Sequence, residues 1–398
     1  MSGEDTADAG ERTAGGRAAW WVFWTFLKVG ALSFGGPAAT QGLVYTKAVV
    51  SLGWLAEEEF HRLLGMVNII PGPNAVQMAM YIGHRRAGRW GFVLGGLAFV
   101  LPGTLISMAL AAGYVRYGQT PPIEALLYGV KPVVIAVIAW SVFRLGRGLR
   151  PSPLRLALMA GAALLYAVGV NEVFVLALLG ALMLAGPLGT RLSRLSGRGP
   201  AALAVPSVLA LGIRMGTGPW REGVDLASLT LVFLKAGMLL FGGGTVLLAV
   251  LRTELVVGQG WLTQPQLLEA VTIGHMTPGS VLTAATFIGY LLAGWAGAVL
   301  ATVAVMAPSF AMMTMAGPAM RLVERSAMVK AFLDGVTLAV VGIVAAVTVE
   351  LGRDALVDPL TALMAVAGLG VLLWRPKAVL PLMLCGAAVG MVSLLSAL

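Results

Sequence analysis

The chain carries one string twice. Residues 26–36 read FLKVGALSFGG, and residues 233–243 read FLKAGMLLFGG. At the same offset of 207, Trp54 matches Trp261 and Pro71-Gly72 matches Pro278-Gly279. The offset then drops to 206. Gly83 matches Gly289, Ala87-Gly88 matches Ala293-Gly294, Pro102 matches Pro308, and Leu145-Gly146-Arg147 matches Leu351-Gly352-Arg353. A duplicated apolar unit interrupted by glycine and proline is a common build among secondary transporters.

The unit is long enough to cross a bilayer several times. Stretches 92–115, 123–143 and 328–349 hold few or no charges and suffice to span roughly 30 Å of hydrocarbon. Of 398 residues, 58% are apolar and 11% charged, whereas a soluble domain carries about 25% charged residues. The period-two alternation of barrel strands is missing. The expectation is an all-α polytopic membrane protein in the cytoplasmic membrane. A first repeat covers 18–186, a linker 187–225 and a second repeat 226–398. The polar residues 1–17 lack the pattern of a signal peptide and read as a disordered tail.

Other function classes find little support. The net charge of +9 comes from arginines in short loops between apolar runs, where they orient helices, so no nucleic-acid partner is implied. Cys385 is the only cysteine, and His61, His84 and His275 are scattered, so neither a disulfide nor a metal site is expected. No P-loop, haem-binding spacing or strand-borne dinucleotide motif is present. The chain reads as a non-enzyme with no cofactor. Its partners are the lipid bilayer and a transported anion, and a homodimer is compatible with such a chain.

Loop charges differ systematically between the repeats. The loop 84–89 holds Arg85, Arg86 and Arg89, whereas its mate 290–295 holds no charge. The loop 144–155 holds four arginines; its mate sets Arg353 against Glu350, Asp354 and Asp358. The bias reverses for 112–124, where Arg116 and Glu124 cancel, against Arg321, Arg325 and Lys330 beside Glu324 in the mate. Glu172 likewise stands against Arg375 and Lys377. Positive loops face the cytoplasm, so the two copies are expected to have inverted topology. The run 200–213 supplies the odd crossing this needs, giving 13 spans. Alternatively, the early segments are re-entrant and the count is about 10.

Each half opens with two interrupted segments. Phe34-Gly35-Gly36-Pro37 corresponds to Phe241-Gly242-Gly243-Gly244, and Pro71-Gly72-Pro73-Asn74 to Pro278-Gly279-Ser280 after Thr277. Interior glycine costs a helix about 1 kcal/mol and proline about 3. At membrane depth such breaks survive where protein or water covers the freed backbone. The half-helix after each break presents N–H groups and a positive dipole end, which suits an anion. Four breaks converging near the midplane would make a substrate site.

Polar groups lie beside these breaks. Lys28 and Lys235 each stand six residues before a Phe-Gly-Gly string. They read either as paired cations facing a polyanion or as side chains snorkelling to the interface. Asn68, Asn74 and Gln77, with His275, Thr277, Ser280 and Thr283, offer hydrogen bonds to an oxyanion or between helices. Lys131 reads as a snorkelling or packing residue. Glu57, Glu58 and Glu59 after Trp54, and Gln264 and Gln266 after Trp261, read as helix starts. His61, Glu269 and His275 are candidates to carry a coupling proton.

The string FLKVGALSFGGP, then Trp-Leu, then NIIPGPNA, resembles the chromate ion transporter family. The second half, FLKAGMLLFGGG with HMTPGSV, is similar to the family's companion domain. The resemblance covers roughly residues 20–396. It implies a two-domain exporter of chromate, a tetrahedral dianion much like sulfate. The motif residues it implies are Lys28, Phe34, Gly35, Gly36, Pro37, Pro71, Gly72 and Pro73. In the second half they are Lys235, Phe241, Gly242, Gly243, Pro278 and Gly279. Gly244 and Ser280 stand where the first half has Pro37 and Pro73. Uptake or exchange of sulfate or another oxyanion is the alternative the resemblance leaves open.

Overall fold

The computed structural model describes residues 3–34, 36–68, 70–149, 152–192, 224–240, 246–278, 282–314, 326–376 and 378–397. The 200–213 run, most of the 318–330 loop, and Gly35, Phe241, Gly242, Gly243, Gly244, Gly279 and Ser280 lie outside them.

Every regular element among the described residues is helical. In the first half these are α1 (Gly3–Ala31), α2 (Gly36–Tyr45) with a π-helical turn (Thr46–Ser51), α3 (Glu57–Val67), α4 (Asn74–Tyr117), α5 (Pro121–Gly148), α6 (Pro153–Ala167) and α7 (Glu172–Leu192). The second half has α8 (Leu226–Met238), α9 (Val246–Leu251) with a π-helical turn (Arg252–Gly258), α10 (Gln264–Met276), α11 (Leu282–Thr314), α12 (Ala327–Ala355), α13 (Pro359–Trp374) and α14 (Val379–Ala397). By length and composition, α4, α5, α11, α12 and α14 can cross a membrane, and four more helices are shorter and apolar. α1 begins at Gly3 and so includes most of residues 1–17; Ala, Glu and Arg there are strong helix formers.

Helix starts follow local chemistry. Glu57, Glu58 and Glu59 occupy the first turn of α3, where carboxylates offset the helix dipole. α10 opens with a reciprocal capping box between Thr263 and Gln266, which satisfies two otherwise unpaired N–H groups.

The repeat extends to backbone detail. Gly53 and Gly260 follow the two π-helical turns with φ of 58° and 64°. Ala87-Gly88 takes φ, ψ of −143°, 27° and 57°, −145°; Ala293-Gly294 takes −147°, 28° and 59°, −148°. These pairs turn the chain back on itself. Gly83 lies against Gly91 and Gly95 against Ala79, while Gly289 lies against Gly297 and the Thr286 and Thr302 hydroxyls bond at 2.8 Å. α4 and α11 are therefore tight helical hairpins, held at the closest approach by glycines on both arms.

The halves interlock. α5 packs on α13 and α14, and α12 packs on α6 and α7. Gly129 abuts Gly386 as Gly335 abuts Gly180, and Ala136 meets Gly368 as Gly342 meets Ala162. Each contact is the repeat image of the other. Equivalent helices also cross antiparallel. Gly146 faces Val341 while Ile135 faces Gly352. Phe92 stacks edge-on with Phe310 at 5.7 Å, and the Ser107 hydroxyl donates to the Thr283 carbonyl at 2.7 Å. Large apolar residues such as Leu97, Leu101, Leu105, Val299 and Val303 are exposed, as a lipid-facing surface requires.

Candidate functional site

The second break of the first half meets the first break of the second half. The Gly72 N–H donates to the Leu240 carbonyl at 2.7 Å, and Leu240 immediately precedes Phe241. Gly72 has φ 136°, a region that side chains rarely enter. A methyl added there would strike Ser309 Oγ on α11 and the Gln77 amide on α4. The matching contact sets Gly103 against the Pro278 carbonyl.

Polar groups at this junction are not fully satisfied. Gln77 and Ser309 are 0% exposed. The Gln77 Nε2 donates to the Pro71 carbonyl at 2.8 Å, which leaves its second N–H to give, and its Oε1 has no partner. Ser309 Oγ is likewise unpartnered. Pro73 provides no side-chain cap for α4, and its carbonyl takes the Val76 and Gln77 N–H groups, so the uncapped N–H groups at this helix start are those of Asn74 and Ala75. Buried unpaired groups normally cost about 1–3 kcal/mol each. They gather beside the start of α4 and the Gly72 break, where the positive end of the helix dipole favours an anion.

Other expected site residues are placed less uniformly. Asn74 is buried and its side-chain amide bonds that of Asn68 at 2.6 Å. Phe34 is half-buried; Gly36 and Pro37 begin α2; Pro71 and Pro73 flank Gly72. Thr277 bonds Thr283 at 2.6 Å and the Gly274 carbonyl at 2.9 Å, so its hydroxyl is already engaged.

The two lysines do not share an environment. Lys28 is exposed. Lys235 forms an ion pair with Glu254, with both side chains 13% exposed. The repeat mate of Glu254 is Lys47, so the first half has no counterpart of this pair. Lys131, expected to snorkel or pack, bonds Glu269 at 2.8 Å, and Tyr114 donates to the other oxygen of Glu269. Among the proton candidates, Glu269 is thus doubly engaged. His61 is exposed and 3.7 Å from Glu57, and His275 Nδ1 bonds the Val271 carbonyl at 2.9 Å.

Ser309 and Glu254 do not stand out in the sequence, and Glu172 enters there only as a loop charge. Ser309 pairs with Gly103 and Glu254 with Lys47 in the repeat, so a search for sameness passes over them. Positions where the repeats differ in polarity were the available signal. Among the described residues no group of His, Cys, Asp and Glu fits a metal ion.

These features define a multi-pass α-helical membrane protein made of two like halves that meet at broken helices. The chain belongs to the chromate transporter family, whose model matches residues 20–185 and 227–391. A chromate transport protein of Cupriavidus metallidurans is 31% identical over 92% of this chain and 91% of its own length. A chromate transport protein of Pseudomonas aeruginosa is 33% identical over 83% of this chain and 80% of its own. A probable chromate transport protein of Synechococcus elongatus is 32% identical over 86% and 87%. No solved structure matches the chain.

Proposed function

We propose that the protein is a secondary transporter, not an enzyme, that exports chromate across the cytoplasmic membrane and so confers chromate resistance. The observation that carries this reading is the Gly72–Leu240 junction, where Gln77, Ser309 and the uncapped start of α4 offer donors to a tetrahedral oxyanion. The relatives named for chromate transport supply the anion. The antiparallel crossings of equivalent helices support inverted halves related by an axis in the membrane plane, which rock about this junction in alternating access. A dianion leaving a negative-inside cell gains about 2.3 kcal/mol per charge per 100 mV, so the membrane potential favours export.

The test is flux into everted vesicles, with chromate and sulfate compared under an imposed potential. A hydrogen bond to a charged group contributes about 1.5–3 kcal/mol. Ser309→Ala is therefore expected to raise the half-saturating chromate concentration about tenfold or more while the protein remains folded. Unchanged half-saturation would remove Ser309 from the site. Sulfate carried in preference to chromate would reassign the substrate.

A further inference from the structure

Glu172 is the first residue of α7, where a carboxylate would ordinarily face water beside the helix dipole. Here the adjacent Asn171 caps the helix, its Oδ1 accepting from the Val173 N–H at 2.9 Å. The Glu172 side chain turns inward instead. It is 0% exposed, and neither oxygen makes a well-formed hydrogen bond, the Thr253 side chain and its own backbone N–H being the donors beside it.

The charges of Lys235 and Glu254, themselves an ion pair, act on it in opposite directions. α7 packs on α6 and α12. From α6, Tyr166 reaches toward this region and bonds the Thr253 hydroxyl at 3.3 Å. From α12, Glu350 is held by Arg252 at 2.9 Å. Lys235 is already paired with Glu254. Two carboxylates therefore stand against one lysine. With Glu172 ionised the group carries a net negative charge out of water, which is strongly unfavourable. A proton on Glu172 makes it neutral. No metal alternative arises, because the described residues hold no cluster with the ligands for one.

We propose that Glu172 is a proton-binding group that couples protonation to anion binding through Lys235. The role in transport rests on the export reading above; the proton site itself does not. Lys235 is five residues before Leu240, the residue whose carbonyl the Gly72 N–H contacts. Ionised Glu172 competes with the anion for Lys235 and adds a repelling charge. Proton and anion thus favour each other's binding, and linkage makes the effect reciprocal. The step is simple in its balance: one proton joins one carboxylate oxygen from water, and it leaves the same way.

The experiment is infrared titration of the purified protein, with chromate binding measured across the same pH range. A protonated-carboxyl band is expected at neutral pH in the unaltered protein, absent in Glu172→Gln. It is expected to vanish in Glu254→Gln too, because Lys235 is then free to pair with ionised Glu172. Chromate affinity should weaken by up to tenfold per pH unit as the band is lost, and Glu172→Gln should flatten that dependence. Absence of the band from the unaltered protein overturns the proposal without recourse to a variant, as does a band that persists in folded Glu172→Gln. If the band behaves as expected and no oxyanion binds, the proton site stands and the export reading falls.

Discussion

Lys131 shows how a buried charge is kept inside this protein. Its ammonium bonds Glu269 across the two halves, and Tyr114 donates to the second carboxylate oxygen. The side chains of Lys131 and Glu269 are 19% and 16% exposed. Removing one member leaves the other charge without its partner. Lys131→Ala is expected to destabilise by about 3 kcal/mol, the lower end for buried pairs. Lys131→Met with Glu269→Met should recover most of that loss in thermal unfolding. If the two single losses simply add, the residues are not coupled. From sequence, Lys131 was visible as a charge in an apolar run, but its partner lies 138 positions away and no local pattern points to it. Lys28 and Lys235 differ in surroundings for a related reason. Equal sequence at equivalent positions does not secure equal surroundings: one half supplies Glu254, and the other supplies Lys47.

At the scale of elements, the breaks at Gly72 and before Phe241 were legible because glycine and proline act on the backbone where they stand. The hairpin form of α4 and α11 was not. HRRAGR reads as a six-residue loop, yet helix continues through Arg85 and Arg86 and only Ala87-Gly88 leaves it. The packing of Gly83 on Gly91 allows so tight a reversal, and that contact is set by the other arm of the hairpin. Gly88 and Gly294 have φ of 57° and 59° with open space where a Cβ would project. Alanine at either position therefore acts through the backbone alone and should cost about 1–3 kcal/mol. The two substitutions, each in its own hairpin, should add in thermal unfolding. A loss confined to one of them would show that the hairpins are not equivalent in energy.

At the scale of the whole molecule, the charge reversal between mated loops and the antiparallel crossings are independent pointers to inverted halves. The Phe92–Phe310 and Ser107–Thr283 contacts make the tips of α4 and α11 point in opposite directions. In a background where Cys385 is replaced by serine, Arg89→Cys is expected to react with an impermeant maleimide only from the cytoplasmic side. Trp295→Cys should react only from the outside. Labelling of both from one side would reject inversion. The class of fold was legible in hydropathy and repeat spacing. Interlocking was not, because it depends on which apolar faces meet, and five long helices share that apolar character.

The exchange of helices between halves has a consequence for synthesis. α5 rests on α13 and α14, through contacts such as Gly129 with Gly386 and Ala125 with Gly390. A ribosome delivers those partners more than 200 residues after α5. The first half, although complete in sequence by residue 192, must wait in the bilayer with a glycine-lined face of α5 uncovered until the carboxyl-terminal helices arrive. Chains cut short before α14 would therefore leave a lesion in the half made first, and quality-control proteases would find it there.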